Sequence, residues 1–400
     1  MRSGHVLALA LSALALLGVA ASKAVASDKA QAERALQFAE KQLAILATSV
    51  GDTDRHPRTL EPDGRLRLAP PREWTSGFYP GLLWLLYEHT RKPEWADRAR
   101  RATAALESQQ SNGGTHDLGF MLYCSYGNGY RLTSDAAYKP VLLHAAETLS
   151  GRFNPTVGCI RSWDFGKWSF PVIIDNMMNL ELLFWASNAG GDKLFRDVAV
   201  RHAQTTLKNH FRDDGSSFHV VSYDPKSGAV EEKGTHQGFA AGSAWARGQV
   251  WGLYGYTMTY RETKDPKFLA AAVRIADFLL GHRNLPADGV PYWDFDAPDI
   301  PKAPRDVSAA AIMASALLEL ATFEGVDHSK YTAAADRILA SLSSPPYRSE
   351  RVGDNQGFIL GHSVGNLPGK SEIDVPITYA DYYYVEALLR VLRGVAPARK

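Results

Sequence analysis

One helical unit recurs along this chain of 400 residues, and that recurrence constrains the fold more than any other feature. Five times an apolar stretch gives way to a short polar turn, and an aromatic residue then opens an amphipathic segment, near Trp95, Tyr138, Phe195, Phe268 and Tyr331. In FLAAAVRIADFLL and YTAAADRILASLS the apolar residues return every three or four positions with Arg or Asp between them. Such segments form helices with one buried and one wet face. The turns ahead of them carry Lys92-Pro93, Ser134-Asp135, Gly190-Gly191-Asp192, Lys264-Asp265-Pro266 and Val326-Asp327, which read as helix stops followed by N-caps. Residues 176–187, 243–260 and 309–323 are apolar, aromatic or small nearly all round, the pattern of a helix buried on both sides. With 31–46 and 376–392 added, the count predicts six helices of each kind.

Six buried helices ringed by six amphipathic ones make an all-α fold, an (α/α)6 toroid of six helical hairpins. A chain of this length would ordinarily divide in two, but one such ring takes up residues 27–400 as a single catalytic domain. Convincing strand-like alternation is confined to residues 217–223. Loops entering the inner helices converge at one end of a toroid, so a site is expected in its mouth.

The first residues stand outside this pattern. Arg2 and His5 precede an apolar run over 6–21, and Ala24-Val25-Ala26 supplies the small residues a signal peptidase reads. That order predicts a signal peptide over residues 1–26 and an exported protein, periplasmic or secreted. The run is short for a membrane span. A net charge of +1 leaves no basic footprint for nucleic acid and no polybasic patch for a membrane surface. Cys124 and Cys159 form no disulfide framework, and pairing or free burial are both open to them.

Gly361-His362-Ser363-Val364-Gly365 has the spelling of a hydrolase nucleophile elbow, but Pro368 and Gly369 follow it and no His lies downstream. There is no phosphate or dinucleotide glycine motif and no zinc-protease His pair, so neither a cofactor nor a metal is expected. What remains is carboxylates in apolar settings. Asp117 lies in Thr115-His116-Asp117-Leu118-Gly119-Phe120, and Asp175 follows Val172-Ile173-Ile174 and precedes Asn176-Met177-Met178. Taken alone, each reads first as a plain helix N-cap. Opening neighbouring inner helices, the two would face one cavity, where burial and mutual repulsion raise a pKa and suit acid/base work on a glycoside. Arg247, between Trp245 and Trp251, is either a clamp for a substrate carboxylate or half of a structural ion pair.

These segments resemble the unsaturated glucuronyl hydrolases of glycoside hydrolase family 88. The resemblance runs from WTSGFYPGLLWLLYE at Trp74 to YADYYYVEALLR at Arg390, through THDLGF, IDNMMNLELLFWAS, THQGF, SAWARGQVWGLYG, YWDFDAP, RDVSAAAIMASALLEL and GKSEIDV in the family's order. It implies an (α/α)6 barrel that removes 4,5-unsaturated uronic acid from lyase-cut oligosaccharides, such as those of glycosaminoglycans. Asp175 is then the general acid/base and Asp117 its orienting partner. Sugar contacts fall on Trp74, His116, Trp163, His219, Gln237, Trp245 and Arg247, and Lys370 lies where relatives meet the second sugar. The stretch Phe239-Ala240-Ala241-Gly242-Ser243 lacks acidic residues that relatives carry. An unsaturated rhamnogalacturonyl hydrolase is the nearest rival, disfavoured by Gln249-Val250 where that group shows Asn-Gly. A non-catalytic oligosaccharide-binding protein on the same ring would not need both aspartates, and a sugar epimerase would want paired catalytic histidines.

Overall fold

A computed structural model describes residues 29–394, so the expected signal peptide over 1–26 lies outside the described residues. Twelve helices follow one another along these residues. Helix α1 spans residues 29–50, α2 Phe78–Thr90 and α3 Pro93–Ala104. Helix α4 starts as a π-helix, Gly119–Gly127, that continues into Asn128–Thr133, and α5 is Tyr138–Ser150. Helix α6 starts as a 3-10 turn, Ile174–Asn179, and continues through Leu180–Asn188. The rest are α7 Leu194–His210, α8 Ala246–Thr263, α9 Pro266–Gly281, α10 Val307–Leu320, α11 His328–Leu342 and α12 Thr378–Arg393.

The even-numbered helices form a closed inner ring in which each packs on the next and α12 returns to α2. Their composition explains the position. Every residue of α10 is buried, and α8 is buried from Ala246 to Thr259. The odd-numbered helices lie outside. In α9 the buried residues are Phe268, Ala271, Ala272, Ile275, Ala276 and Leu279, a single stripe at helical spacing. Full burial of Phe268 or Leu279 contributes about 1.5–3 kcal/mol each before packing is counted. Of the five expected N-caps, two close with a side-chain bond at the helix start. Asp265 accepts from the Lys267 amide ahead of Pro266, and Asp327 accepts from the Lys330 amide.

The strands exceed the sequence expectation. Besides β6 (Val220–Tyr223), which falls inside 217–223, there are β1 His56–Leu60, β2 Leu66–Ala69, β3 Phe153–Asn154, β4 Cys159–Ile160, β5 Pro171–Ile173, β7 Val230–Gly234, β8 Ser363–Asn366 and β9 Ser371–Val375. They form two-stranded hairpins and one three-stranded sheet, β5-β6-β7. Runs of two to five residues are too short to display alternation, and that is why they escaped a periodicity reading. All are excursions between helices, and they build the mouth of the ring. Cys124 and Cys159 are free thiols.

Candidate active site

The residues that enter the inner helices converge, as a toroid requires. Asp117 stands just ahead of α4, Asp175 lies in the first turn of α6, and Trp245 is the N-cap of α8. Asp306 caps α10 and Tyr379 lies in the first turn of α12.

Asp175 is positioned by the small sheet. Strand β5 pairs antiparallel with β6, and the Ile174 amide donates to the His219 carbonyl at 3.1 Å, so Asp175 and His219 emerge side by side. Two buried histidines of α7 fix the approach. His202 Nδ1 accepts from the Ile160 amide at 3.0 Å, and His210 Nε2 donates to the Val172 carbonyl at 3.0 Å. The plain N-cap reading fails for both aspartates. Asp175 makes no cap bond, and the Asp117 side chain accepts from the Thr115 hydroxyl at 2.9 Å.

Asp175 is 7% exposed and its Oδ2 has no hydrogen-bond partner among the described residues. Burial pushes its carboxyl up to about 7, and the charge of Asp117 pushes the same way against the pull of Arg247. His219 Nε2 lies 3.6 Å from Asp175 Oδ2. The amides of His236 and Gln237, each 3.2 Å away, both donate to His219 Nδ1. The ring proton is therefore on Nε2, facing the acid. Burial holds His219 well below the ordinary histidine value, so it stays neutral and leaves the Asp175 proton in place. The Trp251 indole N–H stands beside the carboxyl without completing a hydrogen bond. On the other side His116 Nε2 approaches Asp117 Oδ1 at 3.4 Å, and burial lowers its basicity too.

Aromatic rings wall this space. Trp245 packs on His219 with centroids 4.4 Å apart and the planes tilted by 35°. Trp74 packs among Phe78, Phe120 and Tyr379, and Trp163 among Phe165, Trp168 and His236. Gln237 Nε2 donates to the Gly365 carbonyl at 3.0 Å. Lys370 is exposed in the β8–β9 turn, so the structure keeps its amine outside the buried cluster.

For Arg247 the structure supplies the ion pair. Its Nη1 bonds Asp306 Oδ2 at 3.1 Å and the Val364 carbonyl, and its Nη2 bonds the Gly365 carbonyl at 2.6 Å. Both terminal nitrogens are engaged, between the rings of Trp245 and Tyr379. Arg247 thus brings a fixed positive charge to the site, with its Nη atoms held by Asp306, Val364 and Gly365 and its Nε without a partner among the described residues. Asp306 was missed in the sequence. Its signal was an acidic residue in Arg305-Asp306-Val307-Ser308 opening a helix of wholly apolar character, where a buried Arg247 demands a partner. Asp294, which holds the loop over the site through the Phe239 amide and the Ser243 hydroxyl, was also missed.

An uncharged buried acid, a second carboxylate, a neutral imidazole N–H and tryptophan faces suit proton transfer to a sugar. Among the described residues no group of three or more His, Cys, Asp or Glu is placed to hold a metal.

Comparison with known proteins agrees with this chemistry. An unsaturated glucuronyl hydrolase of Formosa agariphila is 52% identical over 324 residues, covering 80% of each chain. One from a Bacillus species is 36% identical, covering 86% of this chain and 92% of its own. The crystal structure of an unsaturated glucuronyl hydrolase specific for heparin superposes with a TM-score of 0.88 at 53% identity, over 91% of this chain and 97% of that one. The model of Glycosyl Hydrolase Family 88 matches residues 52–391, and it is to this family that the chain belongs.

Proposed function

We propose that the protein removes 4,5-unsaturated uronic acid from the non-reducing end of oligosaccharides left by polysaccharide lyases. The observation that carries this reading is Asp175, a buried acid held near 7 with one oxygen free of partners. A vinyl ether is protonated at carbon, which calls for an acid that keeps its proton at neutral pH and a base once it has given it up. Asp175 donates that proton to C4, and an oxocarbenium-like cation forms at C5. The new carboxylate and Asp117 stabilise that charge. Water adds to C5 and returns a proton to Asp175. The hemiketal opens and releases the remaining sugar as the alcohol. His219 presents its Nε2–H beside the acid at 3.6 Å, and Trp74, Trp163 and Trp245 offer faces to the sugar rings. The Arg247 charge favours the uronate carboxylate. Lys370, exposed at its hairpin tip, is assigned to the second sugar.

The substrate class is glycosaminoglycan fragments, a reading supported by the heparin-specific neighbour at 53% identity. The protein is exported, on the strength of the apolar run over 6–21 and Ala24-Val25-Ala26. N-terminal sequencing of the mature protein should begin at Ser27; an intact Met1 would reject export by this route. The activity is tested by loss of the ultraviolet absorbance of the conjugated C4=C5 bond on unsaturated disaccharides of heparin, chondroitin, hyaluronan, ulvan and rhamnogalacturonan. Decay on a glucuronyl substrate sustains the reading. Decay confined to the rhamnogalacturonan product, or on none of the panel, rejects it.

A further inference from the structure

Strand β8 meets the site through its backbone. The Val364 carbonyl accepts from Arg247 Nη1, and the Gly365 carbonyl accepts from Arg247 Nη2 at 2.6 Å and from Gln237 Nε2 at 3.0 Å. The placement of β8 therefore decides where that guanidinium and that amide stand. The hairpin does not hold this placement by its own preferences. In and before β9, Lys370, Glu372 and Asp374 have φ of 53°, 56° and 58°. This is left-handed backbone, which residues other than glycine adopt when their surroundings compel it.

A residue of β1 supplies the compulsion. Arg58 donates from Nε and Nη2 to the two carboxylate oxygens of Glu372, the second bond 2.8 Å long. This bidentate fork joins side chains only 14% and 4% exposed. Glu372 in turn lies flat on Gly365, where an added Cβ would collide with its carboxylate. On its other side, Arg58 Nη1 donates to Glu73. The second oxygen of Glu73 accepts from the Thr75 amide at 3.0 Å and so caps the 3-10 segment that begins at Trp74. The Arg58 guanidinium itself stands 5.9 Å from the Trp74 ring centroid. Arg67 also approaches Glu372, at 3.5 Å, but it is 43% exposed and solvent screens it. Burying such a charged trio brings little net stability, so what it does is better sought in what it holds in place. It joins the Trp74 wall of the mouth to the carbonyl that seats Arg247 and Gln237.

We propose that Arg58 is a positioning residue for the reaction, fixing the Gly365 carbonyl through Glu372 and Trp74 through Glu73. The inference rests on the function given above and adds to it a residue, remote from the acid, on which substrate binding depends. Asp175 and His219 are held instead by the pairing of β5 with β6 and by His210 of α7. Proton transfer should therefore not feel the loss of Arg58.

The full-length enzyme, R58M, Q237A and the double variant are compared on unsaturated disaccharides by loss of ultraviolet absorbance. R58M should raise KM about tenfold and leave kcat within about twofold of the parent, a split that general loosening of the fold would not give. Both single changes act through Gly365. The double variant should therefore exceed the worse single variant in KM by less than about threefold, not by the product of the two effects. An unchanged KM, a loss confined to kcat, or effects that multiply in the double variant overturn the proposal. E372Q keeps the shape and removes the charge, and it takes the place of R58M should that protein not fold. Should the parent turn over no disaccharide, the function falls separately, and hydrogen exchange decides. The amides of residues 363–375 should then exchange at least about tenfold faster in R58M, with those of α10 as in the parent. Equal exchange in the hairpin, or faster exchange in both, overturns the role of Arg58.

Discussion

At the scale of single residues, the decisive quantity is the proton on Asp175. A carboxyl raised from 3.8 to about 7 binds its proton more tightly in the folded state than in the unfolded chain. It therefore costs nothing below pH 3.8, costs more as pH rises to about 7, and costs a constant amount above, of the order of 4 kcal/mol at most. Two outcomes follow from one cause. Turnover should fall as pH rises through about 7, because the acid form is lost; a rate flat to pH 9 would rule Asp175 out as the acid. Asp175→Asn should lower kcat roughly 10³-fold, yet unfold at no lower temperature at pH 8, since the cost of the buried charge is gone. Asp175 was a candidate in the sequence because β-branched and sulfur side chains flank it, and Asp117 because it opens a neighbouring inner helix, while the family resemblance gave the two their roles. The protonation of His219 was not legible. It depends on two amides, of His236 and Gln237, brought to its Nδ1 by the return of β7.

At the scale of elements, the mouth depends on helices meeting closer than side chains allow. Gly77, where the short 3-10 segment Trp74–Gly77 enters α2, is such a point. A Cβ there would lie 2.2 Å from the Phe120 carbonyl oxygen and 2.3 Å from that of Met121. Both obstacles are backbone of α4, so no rotamer change relieves them. Gly77→Ala should cost about 3 kcal/mol in urea unfolding and displace Trp74 and Phe120 together, raising KM as well. An unchanged midpoint would mean that the two helices slide apart freely. The helices themselves were legible because their period is sustained over a dozen residues or more. This contact was not, since a glycine in WTSGFYPG looks the same whether it turns the chain or admits a neighbour. The Asp306–Arg247 pair behaves likewise. Each half is visible in its own segment, and only ring closure between α8 and α10 joins them.

Over the whole molecule, the two ends of the ring do different work. The end built from helix entries holds the reactive groups. Toward the opposite end, where the inner helices finish, a network of charges spans four of them. Arg261 of α8 pairs with Glu181 of α6 and with Glu319 of α10 at 2.7 Å, and Arg390 of α12 meets Glu319 at 2.7 Å. Burial alone would push Glu319 up, but the two guanidiniums outweigh it and hold the carboxyl down to about 2. A lowered folded pKa has the opposite sign to that of Asp175. Its contribution is complete above the unfolded value of 4.5 and is lost as pH falls from there toward about 2. The fold should thus weaken in acid from this end while the acid at the mouth remains protonated. Arg261→Met would strand Glu181 and leave Glu319 with Arg390 alone. We expect it to cost about 3 kcal/mol at pH 7 and to flatten the stability profile between pH 4.5 and 2, with KM unchanged. A variant as stable as the parent would show that apolar packing alone closes the ring. A changed KM would show instead that the two ends are mechanically coupled through the inner helices.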